Sequence, residues 1–84
     1  MITDELFEKF KEVINPYVTE KSLMDNIQGD TNLLIDLKIN SAQIIDIVLD
    51  AEEKFGIEID DDSIGKMQTV ESSINVITEK LAFV

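Results

Sequence analysis

The chain has no cysteine, no histidine and no arginine. Without cysteine there is no disulfide and no thiol chemistry, and the redox compartment leaves no mark on the sequence. Without histidine, a Ser-His-Asp triad is impossible within this chain. A zinc site would have to be built from carboxylates alone, against that metal's preference for nitrogen and sulfur ligands. Without arginine, the bidentate clamp for phosphate or carboxylate is missing. Long apolar runs are absent as well. None exceeds a few residues, far short of the roughly 20 that span a bilayer. The start, Met1-Ile2-Thr3-Asp4-Glu5, lacks the basic-then-apolar order of a secretory signal.

What is present is acid and aliphatic carbon. The 84 residues are 44% hydrophobic, enough for one modest core, so a single domain over residues 1–84 is expected. Eighteen acids against seven lysines give a net charge of −11. Such a surface repels phosphate backbones, which removes nucleic acid as a default partner and favours basic protein partners. The charge is unevenly placed. Asp46, Asp50, Glu52, Glu53, Glu58, Asp60, Asp61 and Asp62 face a single cation, Lys54, between residues 41 and 62.

Apolar spacing and punctuation give four helical pieces. Thr3 is positioned to cap a first helix at about 3–15, with Leu6, Phe7, Phe10, Val13 and Ile14 at helical spacing and Asn15-Pro16 as the stop. Residues 16–40 read as a long connection in which Tyr17, Val18 and Leu23 add at most a short turn. Its Leu33, Leu34, Ile35, Leu37 and Ile39 are too apolar for open solvent and are expected to pin it over the core. A second helix runs over 41–55, with Asn40 as N-cap and Gly56 as stop. Ile44, Ile47, Val48, Ala51 and Phe55 form its inward stripe, while Ala42, Ile45 and Leu49 fall on another side among Asp46, Glu52 and Glu53. After the extended link Ile57-Glu58-Ile59, a brief helical turn lies within 60–67, with Ile64 and Met67 facing in. Thr69 caps a last helix carrying Val70, Ile74, Ile77 and Leu81. The fold class is all-α: a small four-helix bundle of three main helices and one short one, with a long loop between the first and second.

Ser41 opens the second helix. A hydroxyl there is a poor unaided nucleophile, but the unpaired N–H groups and the positive dipole end of a helix favour an anionic ester. Its plain alternative is an N-cap.

A second motif lies further on. Asp60, Asp62, Gly65 and Glu71 fall at the first, third, sixth and twelfth positions of an EF-hand loop. Ile64 stands at the fifth, where an oxygen ligand is required, and no second loop exists to pair with it. No metal site is expected, beyond weak divalent binding at Asp60, Asp62 and Glu71.

From Leu33 to Ile77 the chain resembles the acyl carrier protein family. The resemblance rests on Asp36-Leu37, Ser41 opening a helix, Ile45, Val48, Leu49, Glu52-Glu53, Phe55-Gly56-Ile57-Glu58-Ile59, Met67, Thr69-Val70 and Ile74. It implies a carrier rather than an enzyme. Ser41 would bear 4′-phosphopantetheine, installed from coenzyme A by a phosphopantetheinyl transferase, and the arm's thiol would hold acyl groups as thioesters. Ala42, Ile45 and Leu49 would then be exposed apolar docking positions. Asp46, Glu52 and Glu53 would be acidic ones, meeting basic patches on acyl-transferring, condensing or modifying enzymes. The interior around Phe10, Ile44, Val48, Ile64 and Ile74 would shelter the acyl chain in a monomeric, cytoplasmic protein. The chain departs from the family's usual Asp-Ser-Leu with Asn40-Ser41-Ala42, and Lys38 stands where glycine is common. These departures point to a specialised carrier, in fatty acid, polyketide or lipid and cell-envelope synthesis, rather than a housekeeping one. The alternatives are a calcium-binding module and a helical protein-interaction module.

Overall fold

Local punctuation decides where each helix begins and ends, and the computed structural model describes residues 4–82. α1 spans Asp4–Ile14, with Asp4 and Glu5 in its first turn and Lys11 in its last, each sign at the dipole end that favours it. The Thr3 cap lies outside the described residues. Pro16 ends the α-helical pattern as expected, but the chain tightens rather than opens, into a 3-10 turn over Asn15–Tyr17. A second 3-10 segment, Lys21–Asn26, occupies part of what reads from sequence as plain loop. Both are short: Tyr17, Val18 and Leu23 allow a short turn there, but no apolar period long enough to announce these segments runs through them.

α2 spans Ser41–Phe55, α3 Asp61–Ile64 and α4 Val70–Leu81. Gly56 stops α2 at φ 66°, a left-handed conformation that glycine adopts without a Cβ penalty. Thr69 caps α4 by accepting the Ser72 N–H at 3.0 Å, while Ser72 Oγ accepts the Thr69 N–H at 2.9 Å. The three long helices and the short α3 form an all-α bundle.

One core joins them. Phe10 and Ile14 of α1, Ile47 and Ala51 of α2, and Val70 and Ile74 of α4 are all 0% exposed. Met67 is buried and Ile64 packs at the core's margin, as do Ile44 and Phe55. Two serines are the buried polar side chains among the described residues: the Ser73 hydroxyl donates to the Thr69 carbonyl at 2.8 Å and the Ser63 hydroxyl to Asp60 at 2.6 Å.

The long connection is held by backbone as much as by side chains. Leu33, Leu37 and Ile39 are buried, as expected. Leu34 and Ile35 are not: they stand 43% and 75% exposed. A turn alternates its side chains by local geometry rather than by polarity, so two of five apolar residues face outward. What anchors the loop besides those buried side chains is the start of α4. Val70 N–H donates to the Thr31 carbonyl at 3.0 Å, Glu71 N–H to the Gly29 carbonyl at 2.8 Å, and Leu33 N–H to the Gln68 carbonyl at 2.9 Å. Loop carbonyls thus satisfy helix-end donors that have no partner inside the helix.

Lys80, in the last turn of α4, closes the other side of the bundle on Asp60 at 2.9 Å. The Ser63 hydroxyl, then the Lys80 ammonium, pull the Asp60 carboxyl from its ordinary 3.8 down to about 2. Asp60 in turn raises Lys80. A lowered carboxyl pKa contributes stability above its unfolded value, and that contribution is lost as pH falls through the folded one. Asp60→Asn is therefore expected to lower the thermal midpoint at neutral pH. Its deficit against the parent should shrink as pH is taken from roughly 4 to roughly 2. Paired melts at each pH cancel the relief of general acidic self-repulsion that both proteins share.

Candidate functional site

The site is assembled at the N-terminus of α2. Asn40 sits in extended backbone at φ −65° and ψ 138°, and its side chain accepts the Ala42 N–H at 2.8 Å. Gln43 returns the arrangement by accepting the Asn40 N–H through Oε1 at 3.3 Å. The Gln43 N–H goes to the Asn40 carbonyl at 2.8 Å. Asn40 is the cap, so Ser41 is not. Ser41 is exposed, and among the described residues its hydroxyl makes no hydrogen bond.

The first-turn N–H groups are less free than the sequence suggests, since those of Ala42 and Gln43 are taken by Asn40. What remains to favour an anion on Ser41 is its own backbone N–H, uncommitted among the described residues, and the positive dipole end of a helix of 15 residues. An exposed, unbonded hydroxyl at this end suits a phosphodiester: it is accessible for modification and its charge is favourably placed.

The approach to α2 is strained. Lys38 takes φ 57°, the left-handed conformation that costs a residue with a Cβ roughly 1–2 kcal/mol. That is the position where the resemblance expects glycine, and the structure supplies the reason. The strained turn is closed by Ile39 N–H donating to the Leu33 carbonyl at 3.1 Å, and the Lys38 ammonium reaches Glu20 at 3.8 Å.

One face of α2 runs outward from Ser41. Ala42, Asp46 and Glu53 are exposed, and Ile45 and Leu49 are 50% and 56% exposed. The three-and-four spacing of these residues puts them together on one surface. Glu52 differs from the rest of the expected acidic set. It is half-buried, and its carboxylate accepts the Ile59 N–H at 2.7 Å, tying the extended link 57–59 back to α2. This role leaves no sequence signal, because the partner is a backbone group seven residues on. Two further acids are committed to neighbours. Asp50 accepts from the Tyr17 hydroxyl, which pushes the Tyr17 pKa up to about 12, and Glu12 pairs with Lys54 at 2.9 Å. These contacts join the connection and α1 to α2.

The calcium-loop pattern does not form a ligand loop. Asp61–Ile64 is helix rather than ligand loop, and Asp60 is held by Ser63 and Lys80. Asp60, Asp62 and Glu71 are not brought together: among the described residues no group of three or more acids is arranged to hold a metal ion. Of the expected acyl-chain lining, Phe10, Val48 and Ile74 are buried core, while Ile44 and Ile64 are half-buried at its edge. No helix among the described residues is long and apolar enough to cross a membrane.

Comparison with known proteins points the same way. A family model described as a phosphopantetheine attachment site matches residues 20–77. The chain is 36% identical over 81 residues to the acyl carrier protein of Petrotoga mobilis, covering 96% of this chain and 93% of that protein. It is 32% identical over 79 residues to that of Picosynechococcus, covering 94% and 95%. It is 34% identical over 80 residues to that of Thermotoga maritima, covering 93% and 94%.

Because Lys38 holds a glycine-like conformation, Lys38→Gly is expected to stabilise the fold. The relieved strain of about 1–2 kcal/mol is partly offset by the ~0.5–1 kcal/mol entropy cost of glycine. Denaturant titration should show a rise in midpoint of a size fitting a gain of up to about 1.5 kcal/mol, with the slope unchanged.

Proposed function

The chain belongs to the acyl carrier protein family, and on that premise we propose that Ser41 is the residue that carries its 4′-phosphopantetheine. Members of this family are carriers rather than catalysts, and the arm's thiol holds acyl groups as thioesters. The observation that supports Ser41 is its freedom. Asn40 does the capping, which leaves the Ser41 hydroxyl exposed and uncommitted at the positive end of α2.

In this reading Ser41 Oγ attacks the pantetheine-bearing phosphorus of coenzyme A and gives up its proton to the transferase, while the phosphoanhydride bond breaks and adenosine 3′,5′-bisphosphate leaves. The protein's own tasks are to hold that oxygen at the surface and to lay out the face on which enzymes dock. Ala42, Ile45 and Leu49 supply apolar contact, and Asp46 and Glu53 supply charge for partners with basic patches. Glu52 contributes to the same field while holding the 57–59 link. Such docking is electrostatic in its on-rate and weakens with salt. A cytoplasmic carrier serving several acyl-transferring, condensing or modifying enzymes is part of this reading.

Three residues favour a specialised partner set. Asn40 removes a carboxylate next to the serine, Ala42 shortens the first exposed apolar side chain of α2, and Lys38 adds a cation at the approach. Fatty acid, polyketide and lipid or cell-envelope synthesis are the settings it fits.

Intact mass before and after incubation with coenzyme A and a broad-specificity phosphopantetheinyl transferase tests the attachment. The parent should gain one phosphopantetheine and Ser41→Ala should gain none. A gain that survives in Ser41→Ala, or no gain in the parent with several transferases, would overturn the assignment. The specialised role has its own test. Asn40→Asp with Ala42→Leu should raise turnover with housekeeping fatty acid enzymes by about tenfold, the scale of one apolar side chain regained in an interface. Unchanged turnover would sink it.

A further inference from the structure

Among the described residues, the Leu34–Ile35 turn is the largest apolar feature that neither the core nor the α2 face accounts for, with Ile35 at 75% exposure. Isolated exposed aliphatics are common on protein surfaces. Here the two are adjacent, and the backbone that carries them is fixed. The Asn32 side chain accepts the N–H groups of Leu34 and Ile35, both at 2.9 Å. The Asn32 carbonyl accepts those of Asp36 and Leu37 at 3.0 and 3.1 Å, and Asp36 accepts the Asn32 N–H at 2.8 Å. Leu33 and Leu37 are buried on either side, 1% and 2% exposed. A β-branched side chain on a turn so constrained loses little freedom when it is covered, which is what an interface anchor requires.

The turn lies beside Ser41. The Ile39 N–H to Leu33 carbonyl bond folds the turn's base against a residue two positions before the serine, at most about 7 Å of chain. The exposed acids that flank the turn in the chain are Asp30 and Asp36. The nearby cation, Lys38, is drawn toward Glu20. A surface that covers this turn therefore needs an apolar pocket with a basic rim.

One class of partner must come this close. Enzymes that work at the far end of a long arm need only the α2 face to dock and can leave this turn uncovered, but the enzyme that makes the ester must place its active site on Ser41 itself. A standard interface covers about 800 Å² on each partner, a disc of roughly 16 Å radius, and centred on Ser41 it reaches this turn. We propose that the Leu34–Ile35 turn is an apolar anchor for the phosphopantetheinyl transferase that modifies Ser41, seated in a pocket rimmed by lysine or arginine. The inference rests on the assignment of Ser41 as the attachment residue.

The test is the rate of phosphopantetheinylation, by intact mass, with whichever transferase acts best on the parent protein. Ile35→Ser should lower kcat/KM by about tenfold, mainly through KM, and Ile35→Leu should stay near the parent rate. Circular dichroism melts of both variants should match the parent, since the side chain is exposed. Modification of Ile35→Ser at the parent rate would overturn the anchor while leaving the Ser41 assignment intact. A parent that accepts no phosphopantetheine from any transferase would remove the assignment, and the anchor with it.

Discussion

The backbone bonds between the long connection and the start of α4 are the constraint on which the rest of this molecule depends. A chain of 84 residues has one small core and no disulfide to hold a loop of more than twenty residues. Ordering such a segment costs backbone entropy at every position. The Thr31 and Gly29 carbonyls take the first donors of α4, and Leu33 N–H reaches back to Gln68. Each bond satisfies a group that would otherwise need water, on both the loop and the helix. With that seam closed, Leu33, Leu37 and Ile39 can enter the core, Lys38 is forced through its left-handed turn, and Asn40 and Ser41 arrive at a fixed place.

The helices were legible where punctuation and period agree. Asn40 and Gly56 bracket α2 to the residue because a cap and a left-handed stop are local chemistry, and Thr69 marks α4 for the same reason. The 3-10 segments Asn15–Tyr17 and Lys21–Asn26 were only partly visible, since short tight turns are set by what they pack on. Leu34 and Ile35 read as core because hydrophobicity alone carries no direction in an irregular segment. At the candidate site, Ser41, Ala42, Ile45 and Leu49 were placed by helical spacing. The capture of Glu52 by Ile59 and of Asp50 by Tyr17 was not, since both join residues that only the fold makes neighbours.

The acidic surface consequently has two populations. Glu12, Asp50, Glu52 and Asp60 are tied to Lys54, Tyr17, the Ile59 backbone and Lys80. These contacts join α1 to α2, the connection to α2, α2 to the 57–59 link, and that link to α4. They turn part of a destabilising net charge of −11 into contacts between elements. Asp46 and Glu53 stay exposed on the same helix as Ile45 and Leu49, and among the described residues no ion pair or hydrogen bond commits their side chains. Composition weighs all these carboxylates alike. The fold separates those that hold it together from those it offers.

The same separation of duties explains the cap. A helix that starts at a serine ordinarily uses that hydroxyl to close its own first turn, which would set modification against stability. Asn40 takes over the structural task one residue earlier, and Gln43 completes the exchange. An aspartate could cap equally well and would add a favourable dipole term. It would also place a fixed negative charge beside a phosphodiester on Ser41, and like charges about 4 Å apart repel by about 1 kcal/mol even in water. Asparagine keeps the cap and omits the repulsion. The cost would fall on recognition, where a neutral neighbour offers a basic enzyme one fewer charge to find, and the anchor proposed at Leu34–Ile35 would be a different means of making up that loss.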